Sequence, residues 1–364
     1  MRKSYILTLG LVVGLASMAQ ALTWTTNSPI PSGKRQMGVA WDGGTHIYSI
    51  GGRTGTDSAG SEVYLGTAGA AGALTWTTLN ALPQPLAAPG AAIFNNRLYV
   101  WGGWTTGFPT VNTCYYAPIN IDGTIGSWVT SAVTIPDQGG AVYADAFGTE
   151  NMIFNGHLYI INGENNSAVF QNVALFNTIG GGGDYGTWTS TNEPGDAAAW
   201  FHGIAFFQGT SADYIYKVGG TDTLFSASPA TIQSSTINGD GSLNAWSQQT
   251  GQLPAGKSEG GLAQFQNLIY LVGGTNDGSV TGTNTVFVGT IDASTGAVTW
   301  TTDAGTLPAN RCRNRATIYK DSSGDYYIAC IGGRLSDADP AEATVFTALV
   351  ASGAAVSDWM MYSE

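Results

Sequence analysis

A short run of apolar and aromatic residues that ends in small turn residues recurs along the chain. Its six copies read HIYSIGG (46–52), LYVWGG (98–103), LYIINGE (158–164), YIYKVGG (214–220), LIYLVGG (268–274) and YYIACIGG (326–333). Successive copies are separated by roughly 50 to 60 residues, a period typical of propeller and solenoid repeats. Each copy is typical of a buried β-strand whose last residues allow the chain to turn sharply after the strand. The pattern therefore predicts a repeat architecture over the whole chain.

Tryptophan and proline mark the same units. A tryptophan lies near the end of each unit, at Trp24, Trp76, Trp128, Trp188, Trp246, Trp300 and Trp359. A proline follows six to eight residues later, at Pro31, Pro83, Pro136, Pro194, Pro254 and Pro308. Each unit has room for four short strands, a to d, and turns such as Asp122-Gly123 suit the hairpins between them. The sequence therefore predicts an all-β fold, a six-bladed β-propeller of four-stranded antiparallel blades.

The closure of the ring stays open at this level. Six glycine-terminated strands accompany seven tryptophan strands, because residues 22–26 (LTWTT) and 356–362 (VSDWMMY) both resemble an outer strand. One terminus must supply strand d of the last blade, and the other is free to add a further strand. Pairing the two termini within one blade leaves no gap in the ring.

The first 21 residues are typical of a secretory signal peptide. Arg2 and Lys3 form a positive start, an apolar run follows, and Ala19-Gln20-Ala21 is a cleavage motif. The apolar run is too short to span a bilayer. We therefore expect residues 22–364 to form the propeller of a secreted protein, whether extracellular, periplasmic or at the cell surface.

Charge and cysteine content narrow the classes of partner. The net charge is −12, and it becomes −14 without Arg2 and Lys3. Such a chain repels nucleic acid and anionic membranes, so neither is expected as a partner, and we expect a monomer without a cofactor.

The three cysteines do not make a disulfide framework. Cys312 and Cys330 lie at one end of neighbouring strands, so a bridge between them is one expectation, and buried thiols, as for Cys114, are the other.

The repeat resembles the kelch motif, which combines an apolar–Tyr–apolar–apolar–Gly–Gly strand with a Tyr on strand c and a Trp on strand d. The first unit carries these as Tyr48, Gly51-Gly52, Tyr64 and Trp76. The third unit departs from the motif, because Asn162-Gly163 replaces the glycine pair. The resemblance implies a propeller. It leaves the function open among adaptor domains, secreted binding proteins, a six-bladed sialic acid mutarotase and copper oxidases.

The copper oxidases of this family can be excluded from the sequence. Their site requires two histidines, and this chain has only His46, His157 and His202. His46 and His157 precede strand b, at the end opposite the glycines, so two copper-binding histidines cannot meet. No metal site is expected.

Basic residues concentrate on one face of the predicted propeller. The d–a and b–c connections share this face, called the top face, and the a–b and c–d hairpins share the bottom face. Eight basic residues fall on or near the top face: Lys34, Arg35, Arg53, Lys257, Arg311, Arg313, Arg315 and Arg334. One interpretation is ordinary loop charge paired with nearby acids such as Asp337. The other is an electropositive funnel for an anionic ligand, in which Arg311, Arg313 and Arg315 alternate along strand a and project to one side of it.

Aromatic and acidic residues extend this candidate site. Trp104 follows a glycine pair and Trp200 precedes a strand a, so both are candidates to stack on a sugar ring. Glu164, His202 and Glu259 lie in top-face connections and are the candidates for a catalytic acid or base. The favoured function is a non-catalytic binding module for a glycan or protein. The alternatives are a mutarotase or epimerase for a small acidic sugar and a structural envelope or matrix module.

Overall fold

The computed structural model describes residues 21–55, 58–107, 109–136, 153–164, 170–195, 200–221, 228–276 and 281–353. These residues form six four-stranded antiparallel sheets that follow one another along the chain. The predicted all-β six-bladed propeller is therefore confirmed. The signal peptide prediction for residues 1–21 falls almost entirely outside the described residues, as does Trp359. Within the described part of the chain, no helix has the length and apolar character needed to cross a membrane.

Each sheet is one blade, and its strands run outward from the axis in chain order. Blades 1 to 3 consist of β2 (Gly38–Trp41), β3 (His46–Ile50), β4 (Val63–Ala68) and β5 (Leu74–Thr78); β6 (Gly90–Phe94), β7 (Arg97–Trp101), β8 (Cys114–Pro118) and β9 (Val129–Thr130); and β10 (Ile153–Phe154), β11 (His157–Glu164), β12 (Phe170–Ile179) and β13 (Tyr185–Ser190). A 3₁₀ turn, Ala70–Gly72, joins β4 to β5.

Blades 4 to 6 repeat this order, except that the last blade borrows a strand. They consist of β14 (Gly203–Gln208), β15 (Asp213–Val218), β16 (Ile232–Ile237) and β17 (Ser247–Gln248); β18 (Gly261–Phe265), β19 (Leu268–Val272), β20 (Val286–Ile291) and β21 (Val298–Thr302); and β22 (Arg315–Lys320), β23 (Tyr326–Ile331), β24 (Val345–Ala351) and β1 (Thr25–Asn27).

The N-terminal strand closes the ring. β1 pairs antiparallel with β24, with Thr25 opposite Thr347 and Asn27 opposite Val345. The outer strand of blade 6 therefore comes from residues next to the predicted cleavage site, and the first and last described strands lie in one blade. This arrangement removes an open gap between the first and last blades.

The repeated tryptophans pack between blades, as a wedge that widens outward requires. Trp24, Trp188 and Trp300 are buried. In three other blades the indole N–H donates to a carbonyl of the preceding d–a connection: Trp76 to Ser28 at 3.1 Å, Trp128 to Asn80 at 3.1 Å and Trp246 to Asn192 at 2.8 Å. The outer tryptophans thus join successive blades as well as filling space.

A second link between blades uses the tyrosine of the repeated strand. Its hydroxyl donates to the backbone carbonyl of a glycine in the c–d hairpin of the next blade. The five pairs found in the described residues are Tyr48–Gly123, Tyr99–Gly183, Tyr159–Gly241, Tyr216–Gly296 and Tyr319–Gly72, at 2.6–2.9 Å. Blade 6 has Ala329 where the repeat carries tyrosine, and Tyr319 on the neighbouring strand β22 supplies its hydroxyl.

The glycine pairs adopt positive φ because another backbone lies against them. Gly51 has φ 59°, and a Cβ there would lie 2.4 Å from the carbonyl oxygen of Leu86 in the next blade. Asn162 replaces the first glycine in blade 3 and adopts the same left-handed conformation, with φ 57°. The second position differs: Gly163 is not left-handed, and β11 continues through it to pair with Gln171 after a register shift.

The expected disulfide between Cys312 and Cys330 is not formed. All three cysteines are free and buried. Cys312 pairs with Arg334, whereas Cys330 pairs with Ala316 on β22. The two cysteines therefore lie opposite different partners, four positions apart along the paired segments.

Candidate functional site

The top face is built from one short bridge per blade. The residue after a glycine pair forms an isolated antiparallel bridge with a residue just before strand a. The five bridges of this kind among the described residues are Arg35–Arg53, Ala87–Trp104, Trp200–Thr221, Ser258–Thr275 and Cys312–Arg334. The glycines thus set the position of the side chain that follows them. Arg53, Trp104 and Arg334 consequently occupy equivalent places on three blades.

A ring of left-handed residues lies directly after these bridges. Gln36, Ala88, Phe201, Glu259 and Arg313 have φ values between 51° and 60°. Their backbone amides donate to one another's carbonyls from blade to blade: Glu259 to Phe201 at 3.2 Å, Arg313 to Glu259 at 2.7 Å, Gln36 to Arg313 at 3.0 Å and Ala88 to Gln36 at 2.7 Å. Five equivalent residues linked in this order surround the propeller axis at the top. Left-handed conformations at non-glycine residues are costly and concentrate at functional sites.

Four arginines meet beside this ring, over blades 6 and 1. Burial, together with the positive charges of Arg334, Arg53 and Arg313, lowers the pKa of Arg35 to about 9. Burial and the charge of Arg313 lower the pKa of Arg334 as well. We call Arg35, Arg53, Arg313 and Arg334 the arginine cluster.

Two carboxylates join the arginine cluster. Glu259 Oε1 accepts from Arg313 Nε at 2.9 Å. Asp337 lies 3.4 Å from Arg313 and also pairs with Arg334. Among these six residues, positive side chains outnumber negative ones four to two. The centre of the top face of an acidic protein is therefore a place where an anion is favoured.

Aromatic side chains form the other part of the site, over blades 2 and 4. Trp104 is buried, and its ring meets that of Trp200 edge-on with centroids 6.2 Å apart. Trp200 also contacts the ring of Phe201, with centroids 4.2 Å apart. The guanidinium of Arg313 lies 5.3 Å from the centroid of Phe201 and so connects the aromatic and charged parts. A ligand at the axis would meet both kinds of group.

The remaining predicted basic residues lie outside this cluster, each near partners of its own. Lys34 pairs with Glu62, and the guanidinium of Arg311 lies over the ring of Phe346, 4.8 Å from its centroid. Lys257 contacts Thr283, and Arg315 donates to the carbonyl of Asn314 at 3.3 Å. The structure thus divides the ten predicted ligand-binding residues into a central group and four basic residues outside it.

The expected alternation of Arg311, Arg313 and Arg315 along strand a is wrong. β22 begins only at Arg315, and the left-handed backbone at Arg313 interrupts the extended chain before it. Of the three, Arg313 alone joins the arginine cluster.

The candidate acids and bases have different surroundings. Glu259 belongs to the left-handed ring and contacts the arginine cluster. His202 is buried just before β14. Glu164 ends β11, and its side chain lies outside the described part of the structure. Among the described residues, no group of three or more His, Cys, Asp or Glu side chains is arranged to hold a metal ion.

The sequence interpretation missed two residues of the site. Gln36 and Phe201 hold left-handed positions of the ring, and both side chains are buried. The Gln36 side-chain oxygen has no hydrogen-bond partner. Their position two residues before each strand a was the available signal, but an ordinary polar or aromatic residue gives no indication of a left-handed backbone.

Comparison with known proteins supports the architecture. A solved structure titled "Structure of YjhT" is similar, with a TM-score of 0.62 and 15% sequence identity over 88% of this chain and 95% of that chain. At that identity the likeness shows a shared fold. No protein-family model matches the sequence. No curated protein matches it either.

Proposed function

We propose that the protein is a secreted kelch-type propeller that binds an anionic glycan at the centre of its top face. In this proposal residues 1–21 direct export, and the folded ring acts as a monomeric binding module. The observation that carries the proposal is the arginine cluster beside Trp104, Trp200 and Phe201.

The charged part of the site suits a carboxylate. Guanidinium groups recognise carboxylates through paired, charge-assisted hydrogen bonds, which are roughly twice as strong as neutral ones. Burial and then the charges of the other three arginines lower the pKa of Arg35, so the four positive groups disfavour one another. A bound anion would offset that repulsion, so the excess positive charge of the arginine cluster favours anion binding.

The aromatic part suits the body of a sugar. Trp200 is partly exposed and can stack on a pyranose ring, with the buried rings of Trp104 and Phe201 packed against it, while the acidic group points to the arginines. A peptide with an acidic side chain has comparable chemistry, so a protein ligand is the second partner class. Nucleic acid is not favoured, because the net charge of −12 opposes a phosphate backbone.

A glycan array tests this proposal with a matched pair of variants. Arg53→Ala removes one member of the arginine cluster but leaves the backbone bridge to Arg35 available. Arg97→Ala removes a basic residue at the start of β7, toward the bottom face. We expect the wild type and Arg97→Ala to bind carboxylated glycans and Arg53→Ala to lose most of that binding. No glycan bound by the wild type, or equal binding by all three proteins, would favour a purely structural module.

One observation favours a catalytic alternative. Glu259 places a carboxylate beside Arg313 within the same site, which is a pairing suited to acid–base work on an acidic sugar. A mutarotase acting on such a sugar is therefore the second candidate. Exchange spectroscopy of sialic acid anomers tests it: interconversion should exceed the buffer rate and drop with Glu259→Gln, whereas a rate equal to buffer would remove this candidate.

A further inference from the structure

Three buried cations occupy one equivalent position on three blades. Lys34, Lys257 and Arg311 each directly precede a bridge residue of the top face, namely Arg35, Ser258 and Cys312. All three are at most 2% exposed. Each side chain contacts the b–c connection or strand c of its own blade, so these cations differ from the arginine cluster near the axis.

Two positions of each b–c connection surround the cation, and backbone hydrogen bonds identify them. The backbone N–H of the first position donates to the carbonyl of the second glycine of the pair. The backbone carbonyl of the second position accepts from the N–H of the first glycine. These two positions are Gly60 and Glu62 in blade 1, Thr283 and Thr285 in blade 5, and Glu342 and Thr344 in blade 6.

Blades 1 and 6 each provide a carboxylate at one of these positions. Glu62 lies 2.6 Å from Lys34, and Gly60 leaves room for this pair, since a Cβ there would lie 2.3 Å from the lysine nitrogen. In blade 6, Glu342 lies 3.9 Å from Arg311. Both cations therefore have an acid close by.

Blade 5 provides two hydroxyl groups instead. The Lys257 nitrogen contacts the Thr283 hydroxyl and lies 5.2 Å from the centroid of the Phe287 ring. The Thr283 and Thr285 hydroxyls are 3.2 Å apart. Among the described residues, no carboxylate forms an ion pair with Lys257. Thr283 is partly exposed, whereas Lys257 is buried.

An amine in this setting is suited to accept a proton. Burial lowers the pKa of Lys257 to about 7, because the charged form loses its hydration. A neutral lysine beside a hydroxyl is the arrangement that activates a serine or threonine nucleophile.

We propose that Lys257 and Thr283 form a base–hydroxyl pair that accepts an acyl group from an activated ester. The Thr283 oxygen attacks the ester carbonyl, and Lys257 takes the hydroxyl proton. The bond to the leaving alcohol or phenol breaks, and the leaving group takes that proton from Lys257. The products are an ester on Thr283 and a free alcohol or phenol, and water then hydrolyses the threonine ester slowly.

The test treats the full chain with 4-nitrophenyl acetate between pH 6 and 9. We expect one equivalent of 4-nitrophenolate to be released quickly, with a single acetyl group on Thr283 in the peptide map. The rate should rise with pH through about 7. An acetyl group on Lys257, or on neither residue, would overturn the assignment.

Variants at the two positions of blade 5 separate chemistry from folding. Thr283→Ser should retain acylation, whereas Thr283→Val has no nucleophilic oxygen, so the burst of 4-nitrophenolate and the acetyl group at residue 283 should both be absent. Thr285→Glu places a carboxylate at the position equivalent to Glu62 and should keep Lys257 charged, so acylation at pH 7 should disappear while circular dichroism stays unchanged. Full acylation of folded Thr285→Glu would contradict the proposal.

Discussion

The Tyr48 hydroxyl donates a hydrogen bond of 2.8 Å to the backbone carbonyl of Gly123 in the next blade. The same glycine has φ 80°, and a Cβ on it would collide with the ring of His46 at 2.7 Å. One hairpin residue is therefore held from two sides by the preceding blade. Because this contact recurs around the ring, the tyrosine of the repeated strand acts as a joint between blades.

Removal of the Tyr48 hydroxyl should weaken one joint. Tyr48→Phe leaves the buried Gly123 carbonyl without its donor, so we expect a loss of about 1–2 kcal/mol in the free energy of unfolding, measured with urea. Tyr270→Phe is the matched control, because strand d of blade 6 is β1 and the Tyr270 hydroxyl makes no such hydrogen bond within the described residues. An equal loss in both variants would show that the hydroxyls do not join the blades.

The closure of the ring depends on Asn27 at the end of β1. Its side-chain nitrogen donates to the carbonyl of Gly72 in blade 1 at 2.9 Å, and its oxygen accepts from the Leu74 amide at 3.0 Å. Asn27→Ala should therefore cost about 2 kcal/mol of stability. Asn120→Ala, in an exposed hairpin, should cost little under the same urea denaturation. No difference between the two variants would argue against closure through β1.

The buried amine of Lys257 predicts a pH-dependent stability. The pKa of Lys257 falls from 10.5 to about 7 on folding, so the unfolded chain binds this proton more tightly. Stability should therefore rise with pH between these values and be lowest, for this group, below pH 7. Lys257→Met should stabilise the protein at pH 7 by on the order of 2–4 kcal/mol, with little gain above pH 10.5.

Lys34→Met is the control for that prediction. It removes a buried lysine that has an acid partner, Glu62, so it should give no stabilisation at pH 7. Thermal unfolding across the pH range measures both variants. Equal stabilisation by Lys34→Met and Lys257→Met would show that the missing carboxylate is not the cause.

Two histidines at equivalent bottom-face positions, His46 and His157, should have pKa values shifted in opposite directions from the usual value. The hydrogen bond to Asp42, opposed by burial and aided by the charges of Asp42 and Asp122, raises the pKa of His46. Its stabilising contribution should be complete below pH 6.5 and be lost as the pH rises through the folded-state pKa.

Burial lowers the pKa of His157, so its contribution should be present above pH 6.5 and be lost as the pH falls through its folded-state pKa. NMR titration of His46→Gln and His157→Gln assigns the two resonances and measures both directions. Shifts of the same sign would contradict this account.

The fold could be predicted from the sequence because each blade repeats the same local requirements. The apolar run with its glycine pair and the outer tryptophan both make contacts that recur from blade to blade. The closing strand could not be predicted, since residues 22–26 and 356–362 have equivalent patterns and only tertiary pairing distinguishes them.

The site could be predicted only in part. The order of the connections between strands predicted correctly that many basic residues lie at the top face. That order could not separate Arg35 and Arg313 from Lys34 and Arg311, because neighbouring residues in one connection differ in direction. The left-handed turn at Gln36 or Arg313 determines which side chain faces the axis. Neither glutamine nor arginine is a residue type that predicts a left-handed turn.

The most direct test of the central claim compares a carboxylated glycan with its neutral amide by titration calorimetry on the wild-type protein. If the arginine cluster holds the carboxylate, the neutral form should bind at least about tenfold more weakly, and the difference should shrink in Arg53→Ala. Equal affinity for the charged and neutral glycan in both proteins would contradict the proposed site.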